Sequence, residues 1–257
     1  MKLRPQKLAD EWWLILGASS KVGMGFAEAV ARRQGSVILA GRSLRKLTEQ
    51  AAELTKNYPM AAVEVQIFDA SLGSSRWNLR KYCEQRIPPG KLNIFLGFAH
   101  YADQPTIEPN LELAATVLDT SLNHAALTLL EFIPLLETQP GGRVIVVGSV
   151  SGERGRSRNY IYGAAKAGLA VVAAGLRARL HPSGVSVLIV KSGLLRKSDQ
   201  PMRGWRGLLA APPAAAAEAW LRASLAGRNS IYYPWFWRWM SLALRLVPEA
   251  WFKRMRF

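Results

Sequence analysis

The feature that most restricts the fold of this chain is a regular alternation of short apolar runs with longer segments whose apolar residues recur at helical spacing. Trp12 to Leu16 stops at Gly17 and gives way to helical periodicity from Val22 to Arg33. Val37 to Ala40 precedes a helical segment around Leu44 to Leu54, and Val63 to Phe68 precedes one near Trp77 to Arg86. Then come Asn93 to Leu96, a long helical region through Leu111 to Leu136, Val144 to Val147, a helix from Ile161 to Leu180, and Val185 to Val190. Gln139-Pro140-Gly141-Gly142 is a turn signal closing the long helix. The short runs are too apolar for a sheet with one wet face, so they predict a single α/β unit, a Rossmann-like doubly wound parallel sheet with helices on both faces. Such sheets bind ligands outside the carboxyl ends of their strands, which directs attention to the loops after Leu16, Ala40, Phe68, Leu96, Val147 and Val190.

A length of 257 residues suits one domain. Residues 1–230 are expected to form the nucleotide-binding and catalytic domain, and residues 231–257 a basic, aromatic, helical tail. The net charge of +16 would suit a polyanion, an anionic membrane face or a phosphorylated substrate. The aromatics favour the membrane face. Tyr232-Tyr233-Pro234-Trp235-Phe236-Trp237-Arg238-Trp239 leads into Arg245, Lys253, Arg254 and Arg256, the pattern of an interfacial helix. No nucleic-acid-binding motif accompanies it, and no nucleic acid partner is expected. The weakly polar stretch Gly207 to Leu221 contains Pro212, Pro213 and Glu218 and falls short of the roughly 20 apolar residues of a spanning helix. Met1 to Glu11 is polar, unlike a secretory signal, and Cys83 is the single cysteine. The expected location is therefore cytoplasmic, peripheral on the inner face of the membrane. His100, His124 and His181 show no ligand spacing, and no metal is expected.

The first loop, Gly17-Ala18-Ser19-Ser20-Lys21-Val22-Gly23-Met24-Gly25, follows the first strand and opens the first helix. Small residues there permit a tight turn and let amides at the helix N-terminus approach a pyrophosphate, which makes Gly17, Ser19, Ser20, Lys21, Val22 and Gly23 candidate cofactor ligands. After the second strand stands Gly41-Arg42-Ser43, with no carboxylate for a ribose 2′-hydroxyl. Arg42 suits a 2′-phosphate, with Lys21 as a second charge, and NADPH is the expected cofactor. Asp69 is suited either to accept from the adenine amino group or to cap the next helix.

Ser149 is followed by Tyr162 and then, four residues on, by Lys166, a spacing that puts Tyr162 and Lys166 on one helical face. A tyrosine with an ordinary pKa of about 10 needs a nearby cation to favour its phenolate, and Lys166 is expected to supply it. Ser149, at the tip of the preceding strand, is placed to hydrogen-bond a carbonyl oxygen that Tyr162 protonates as hydride arrives from the cofactor. Alone, Tyr-x-x-x-Lys describes any amphipathic helix with a snorkelling lysine. Serine on the adjoining strand end decides against that reading. Asn123 is a candidate to bind a water linking Lys166 to solvent.

Together these residues resemble the short-chain dehydrogenase/reductase superfamily over nearly the whole chain. The resemblance implies that Ser149, Tyr162, Lys166 and Asn123 form a catalytic tetrad, that Tyr162, Lys166 and Ala99 also touch the cofactor, and that the chain assembles as a homo-oligomer through its long helices. Three positions depart from the pattern. Lys21 stands where the middle glycine of the first loop is usual, Gly97-Phe98-Ala99-His100-Tyr101 replaces an Asn-Ala-Gly signature, and Lys191-Ser192-Gly193-Leu194 replaces a Pro-Gly loop, with Lys197 in place of a nicotinamide-contacting threonine. Within the superfamily, the segment Ser149 to Gly163 is similar to bacterial reductases that act with a flavin oxidase to epimerise decaprenylphosphoryl ribose to arabinose. The ending through Tyr233-Pro234-Trp235-Phe236-Trp237, Val247-Pro248-Glu249 and Phe252-Lys253-Arg254 is similar to theirs too. This implies a polyprenylphosphoryl 2-keto-pentofuranose as substrate and a flavin oxidase as partner, with Arg154, Arg156 and Arg158 gripping the lipid phosphate. A short-chain reductase of another carbonyl, such as a 3-oxoacyl thioester or small ketone, and a non-catalytic cofactor sensor at the membrane surface are the alternatives.

Overall fold

Residues 7–138, 140–196, 207 and 209–255 are described by the computed structural model. The apolar runs form β1 (Trp12–Leu16), β2 (Ser36–Gly41), β3 (Val63–Ile67), β4 (Leu92–Leu96), β5 (Arg143–Ser149) and β6 (Ser186–Ser192), and a seventh strand, β7 (Ser230–Tyr233), completes one sheet in the order β3-β2-β1-β4-β5-β6-β7. Every pairing is parallel; Leu14 lies opposite Ile38 on one side and Ile94 on the other. Strand order reverses between β1 and β4, which opens the crevice where such sheets bind ligands.

Side chains alternate across the sheet, and β1 shows the result. Leu14 and Leu16 join a core with Leu129, Phe132, Leu169 and Ala173 on one face, while Trp13 and Ile15 join Phe26, Val30, Leu188 and Trp220 on the other. Burying each such side chain contributes roughly 1.5–3 kcal/mol, so both faces hold the sheet. The first face is covered by α3 (Gly73–Arg86), α6 (His124–Glu137) and α7 (Tyr160–Leu180); the second by α1 (Lys21–Ala31), α2 (Leu44–Asn57) and α8 (Pro213–Leu225). α1 and α8 meet closely at Gly25, where a Cβ would stand 3.1 Å from the Cα of Ala214. The buried Arg33 closes the far end of that contact on Glu218.

The tertiary structure departs from the sequence expectations in two places. The segment read as one long helix is α5 (Leu111–Leu118), which follows the short α4 (Gln104–Ile107), joined to α6 through a π-helical turn, Asp119–Asn123. β7 begins at Ser230, so the expected boundary between residues 230 and 231 falls inside a strand of the sheet; beyond it lie the amphipathic α9 (Trp237–Leu246) and the short α10 (Glu249–Phe252). Among the described residues, the one helix with the length and apolar composition of a membrane span is Tyr160–Ser183. It is α7, and Lys166, Leu169, Ala173, Leu176 and Leu180 on it are buried against the sheet.

Candidate active site

At the carboxyl end of β1 the chain turns through Gly17, whose φ of +87° favours glycine. A Cβ there would stand 2.9 Å from the amide nitrogen of Phe98, and one at Gly23 would collide with the carbonyl of Gly17. The loop is thus folded onto itself and onto the loop after β4, leaving room only for backbone. Ser20 caps α1: its Oγ accepts from the amide of Gly23 at 3.0 Å and donates to the carbonyl of Gly17 at 2.9 Å. Lys21 and Val22 begin the helix, and Ser19, Ser20 and Lys21 are exposed at its positive end. Arg42 is exposed just past β2. Asp69 faces that charge, and its carboxylate accepts from the Oγ of Ser71 at 2.7 Å and its amide at 2.9 Å. The Ser71 bonds, with Arg42 adding to them, hold its pKa below the usual carboxylate value. Asp69 therefore builds an Asx turn and does not cap α3, whose N-cap is Leu72. A cradle that excludes side chains, a positive helix terminus and a guanidinium with no acid following β2 fit a phosphorylated dinucleotide.

The catalytic side is fixed by two further close approaches. Beyond β5 a 3-10 turn, Val150–Gly152, packs on the start of α7. A Cβ on Gly152 would lie 2.7 Å from the amide of Ala167, and one on Gly163 would lie 2.8 Å from the carbonyl of Ser151. Ser149, its Oγ accepting from the amide of Ser151 at 3.1 Å, is thereby held against the first turns of α7, which carry Tyr162 and Lys166. Lys166 is 2% exposed; its Nζ donates to the carbonyl of Val147 at 2.9 Å, and burial pulls its pKa down to about 8. An ammonium has three donors, so two remain for ligand or water.

The expected depression of the Tyr162 pKa is not what the structure shows. Burial and the neighbouring Tyr101 push the phenol above its ordinary value. The Nζ of Lys166 is 5.8 Å from the Tyr162 ring centroid and engaged on Val147, which limits what its charge does for a phenolate. Tyr101 itself was missed at the sequence level. Its ring stands edge-on to Tyr162 with centroids 5.1 Å apart, and its hydroxyl donates to Asp103.

Asn123 is not brought to the site. It is exposed, and its Nδ2 donates to Asp119 at 2.6 Å. The π-helical turn inserts an extra residue into the helix and rotates the face that looks inward; the fully buried side chain of that turn is Ser121. Its Oγ donates to the carbonyl of His100 at 2.9 Å and accepts from its amide at 3.0 Å, pinning the loop after β4 in which Ala99 lies exposed. A buried serine amid polar neighbours gave no periodic signal by which to prefer it over Asn123.

The three arginines after β5 have separate fates. Arg154, expected at a substrate phosphate, instead binds the C-terminal segment: its guanidinium donates to the carbonyls of Leu244 and Val247, pairs with Glu249 at 2.7 Å, and stacks 3.6 Å from the Phe252 ring centroid. Arg156 is half-buried, with the Oγ of Ser151 at 3.2 Å, and burial lowers its pKa. Arg158 is exposed. The C-terminal segment is held elsewhere too. The Trp237 indole occupies the space where Gly193 would carry a side chain, and Glu153 receives Lys191 at 2.7 Å, the Tyr232 hydroxyl at 3.1 Å and Arg245 at 3.6 Å. Lys197 and Arg256 lie outside the described residues. Among the described residues no group of three His, Cys, Asp or Glu side chains is placed to hold a metal ion.

Comparison with known proteins places these features in context. A family model described as short chain dehydrogenase matches residues 11–203. An uncharacterised oxidoreductase of Mycobacterium tuberculosis is 32% identical over 247 residues, covering 94% of this chain and 96% of the relative. One of Streptomyces coelicolor is 31% identical, covering 94% of each. Among solved structures, L-sorbose reductase of Gluconobacter frateurii in complex with NADPH and L-sorbose superposes with a TM-score of 0.78 at 17% identity, over 89% of this chain and 96% of that one. An NADPH-bound short chain oxidoreductase of Pseudomonas aeruginosa superposes with a TM-score of 0.74 at 20% identity, over 89% and 96%. These two likenesses establish the fold.

Proposed function

Because this chain belongs to the short chain dehydrogenase family, we propose that it is an NADPH-dependent ketoreductase acting on a polyprenylphosphoryl 2-keto-pentofuranose, reduced at C2 on the way to an arabinose donor. The observation that carries the reaction is the convergence of Ser149, Tyr162 and Lys166 at the carboxyl edge of β5, across the crevice from the α1 cradle. Bound NADPH would supply hydride to the carbonyl carbon and become NADP⁺. Ser149 donates a hydrogen bond to the carbonyl oxygen, and Tyr162 gives that oxygen its phenolic proton, so that one hydride and one proton turn the ketone into an alcohol. A phenol pushed above its ordinary pKa stays protonated at neutral pH, which suits the reducing direction. Lys166 would hold the nicotinamide ribose with the donors that Val147 leaves open, and Arg42 would take the 2′-phosphate.

The lipid-linked substrate is supported by the resemblance of the loop from Ser149 to Gly163 and of the C-terminal segment, which folds over this side of the site. That segment exposes Trp235, Trp239, Leu242, Leu246 and Trp251 beside Arg238, Arg245 and Arg254, a composition suited to the cytoplasmic face of an anionic membrane where a prenyl chain resides. A flavin oxidase would supply the ketone. The exposed Leu127, Leu130 and Val171 of α6 and α7 supply an apolar face for a homo-oligomer.

The test is turnover. Purified protein with NADPH and an enzymatically generated prenylphosphoryl 2-keto-ribofuranose in detergent should oxidise NADPH only when the ketone is present, and Tyr162→Phe should abolish this. NADPH binding without consumption would overturn the lipid-sugar reading and send the search to other carbonyls, 3-oxoacyl thioesters and small ketones first.

A further inference from the structure

A pocket beside the site is built from two segments far apart in the sequence. Residues 155–160 and the end of the chain from α10 to Met255 form an open pocket of about 260 Å³ lined by Arg156, Ser157, Tyr160, Glu249, Phe252 and Lys253 among others. The lining divides by chemistry. Arg156 and Lys253 are cations for which no ion pair is found among the described residues, whereas the one carboxylate, Glu249, is already paired with Arg154 at 2.7 Å. The Tyr160 hydroxyl donates to Glu108, and Phe252 and Met255 supply apolar surface.

Arg156 is the unusual member. A half-buried guanidinium is ordinarily paired, because removing charge from water without a counter-charge is unfavourable. Its neighbours are hydroxyl-bearing rather than carboxylate: the Oγ of Ser151 at 3.2 Å, itself shared with the Nδ2 of Asn159 at 3.0 Å, and the phenol of Tyr101 nearby. Burial accordingly lowers the guanidinium's pKa. Those neighbours also fix its place relative to the chemistry. Ser151 is two residues beyond Ser149, and Tyr101 stands edge-on to Tyr162. The charge is thus held against the turn that follows Ser149 and close to Tyr101, whose ring touches Tyr162.

We propose that this cavity is the subsite for a phosphate ester on the carbonyl substrate, with Arg156 as its fixed charge, Lys253 as its second charge, and Phe252 and Met255 receiving the first carbons of an attached apolar chain. The subsite rests on the reading of Tyr162 as proton donor, since it has a role in turnover only beside a reacting carbonyl. It is assembled by Arg154, which brings α10 to the loop without touching the ligand. Arg154 and Arg156 therefore divide the work of the loop: one closes the wall and the other reads the substrate.

Calorimetric titration of the full chain, saturated with NADPH, tests this with decyl phosphate, inorganic phosphate and decanol as probes. Decyl phosphate should bind, inorganic phosphate should compete with it weakly, and decanol should bind neither alone nor in competition. Arg156→Gln should weaken decyl phosphate about 10- to 100-fold, the range for a lost hydrogen bond to a charged group. Arg156→Lys should recover part of the affinity, Lys253→Gln should show a smaller loss, and Arg158→Gln should behave as wild type. NADPH affinity and the melting temperature should be unchanged in all four. Decyl phosphate binding that is absent in the wild type, or equally tight in Arg156→Gln, overturns the subsite. Tyr162→Phe separates the two readings, because it should bind decyl phosphate as wild type does while losing turnover. A chain that reduces ketones but ignores Arg156→Gln keeps the reductase and loses the subsite.

Discussion

Around Lys166 the polypeptide is fixed by backbone: a side chain 2% exposed, a carbonyl at 2.9 Å, and two glycines that let the turn after β5 touch α7. The wall facing it, from Glu153 to Tyr160 and from Tyr232 to Phe252, is fixed by charge and aromatic contact. Arg154 joins it to Glu249, which is 75% exposed, and Glu153 gathers Lys191, Tyr232 and Arg245. Packing is indifferent to ionic strength, whereas exposed ion pairs are screened and contribute little singly. On the proposed reading, the chemistry sits in the rigid part of the molecule, and the choice of substrate in a part that is held more weakly. Arg154 and Arg156, two residues apart, mark the border between closing that wall and using it.

The comparison breaks most visibly if the rigid part proves dispensable. Lys166→Met should lower turnover by about 10²- to 10⁴-fold, the range associated with proton-transfer groups, while far-UV circular dichroism stays native. The same variant sharpens the claim that Lys166 is buried against its own charge. Its folded pKa of about 8 lies below the ordinary lysine value of 10.5, so the unfolded chain binds the extra proton between those values. Stability of the cofactor-free protein should therefore carry the full burial penalty below pH 8 and gain as pH rises through that window. Urea midpoints across it should climb in wild type relative to Lys166→Met; parallel curves would place the charge elsewhere.

On the cofactor side, Arg42→Ala should weaken NADPH about 10- to 100-fold and NADH hardly at all, from the loss of charge-assisted bonds to the 2′-phosphate. Equal losses for both cofactors would remove Arg42 from cofactor selection. On the wall, Arg154→Met should raise KM for the ketone about 3- to 10-fold with kcat nearly unchanged, equivalent to roughly 1 kcal/mol of an exposed pair and its backbone bonds. It should also speed tryptic cleavage after Arg245, and high salt should reproduce part of that effect in wild type. A variant as resistant as wild type would show that Trp237 on Gly193 holds the segment unaided. The smallest effect belongs to Asn123→Ala, for which kcat/KM should change less than about twofold because surface substitutions away from special contacts are nearly neutral. A larger loss would return Asn123 to the site.

Much of this was legible in the sequence, and the failures share a cause. Gly17, Gly23, Ser149, Tyr162 and Lys166 were found because each sits at a strand end or on a helix whose phase the local pattern sets. Asn123 was misplaced because one inserted residue in the turn from Asp119 to Asn123 changes the inward face without altering composition, and Ser121 holds the loop after β4 instead. β7 was hidden because four residues at the sheet edge, Ser230–Tyr233, look like the start of the aromatic tail that follows. Arg154 and Arg156 carry the same side chain in the same loop, and nothing local distinguishes them.

By itself the sequence determined the alternation that makes a parallel sheet, the loops at its carboxyl edge, and the placing of Ser149, Tyr162 and Lys166 at one strand end and the helix beside it, because periodicity and strand-end position are local properties. Only the tertiary structure decided which arginine is neutralised, which residue of the π-helical turn faces inward, and that residues near 155 and near 252 share a cavity. Those depend on contacts between segments about a hundred residues apart, where burial and counter-charge come from partners that no local pattern specifies.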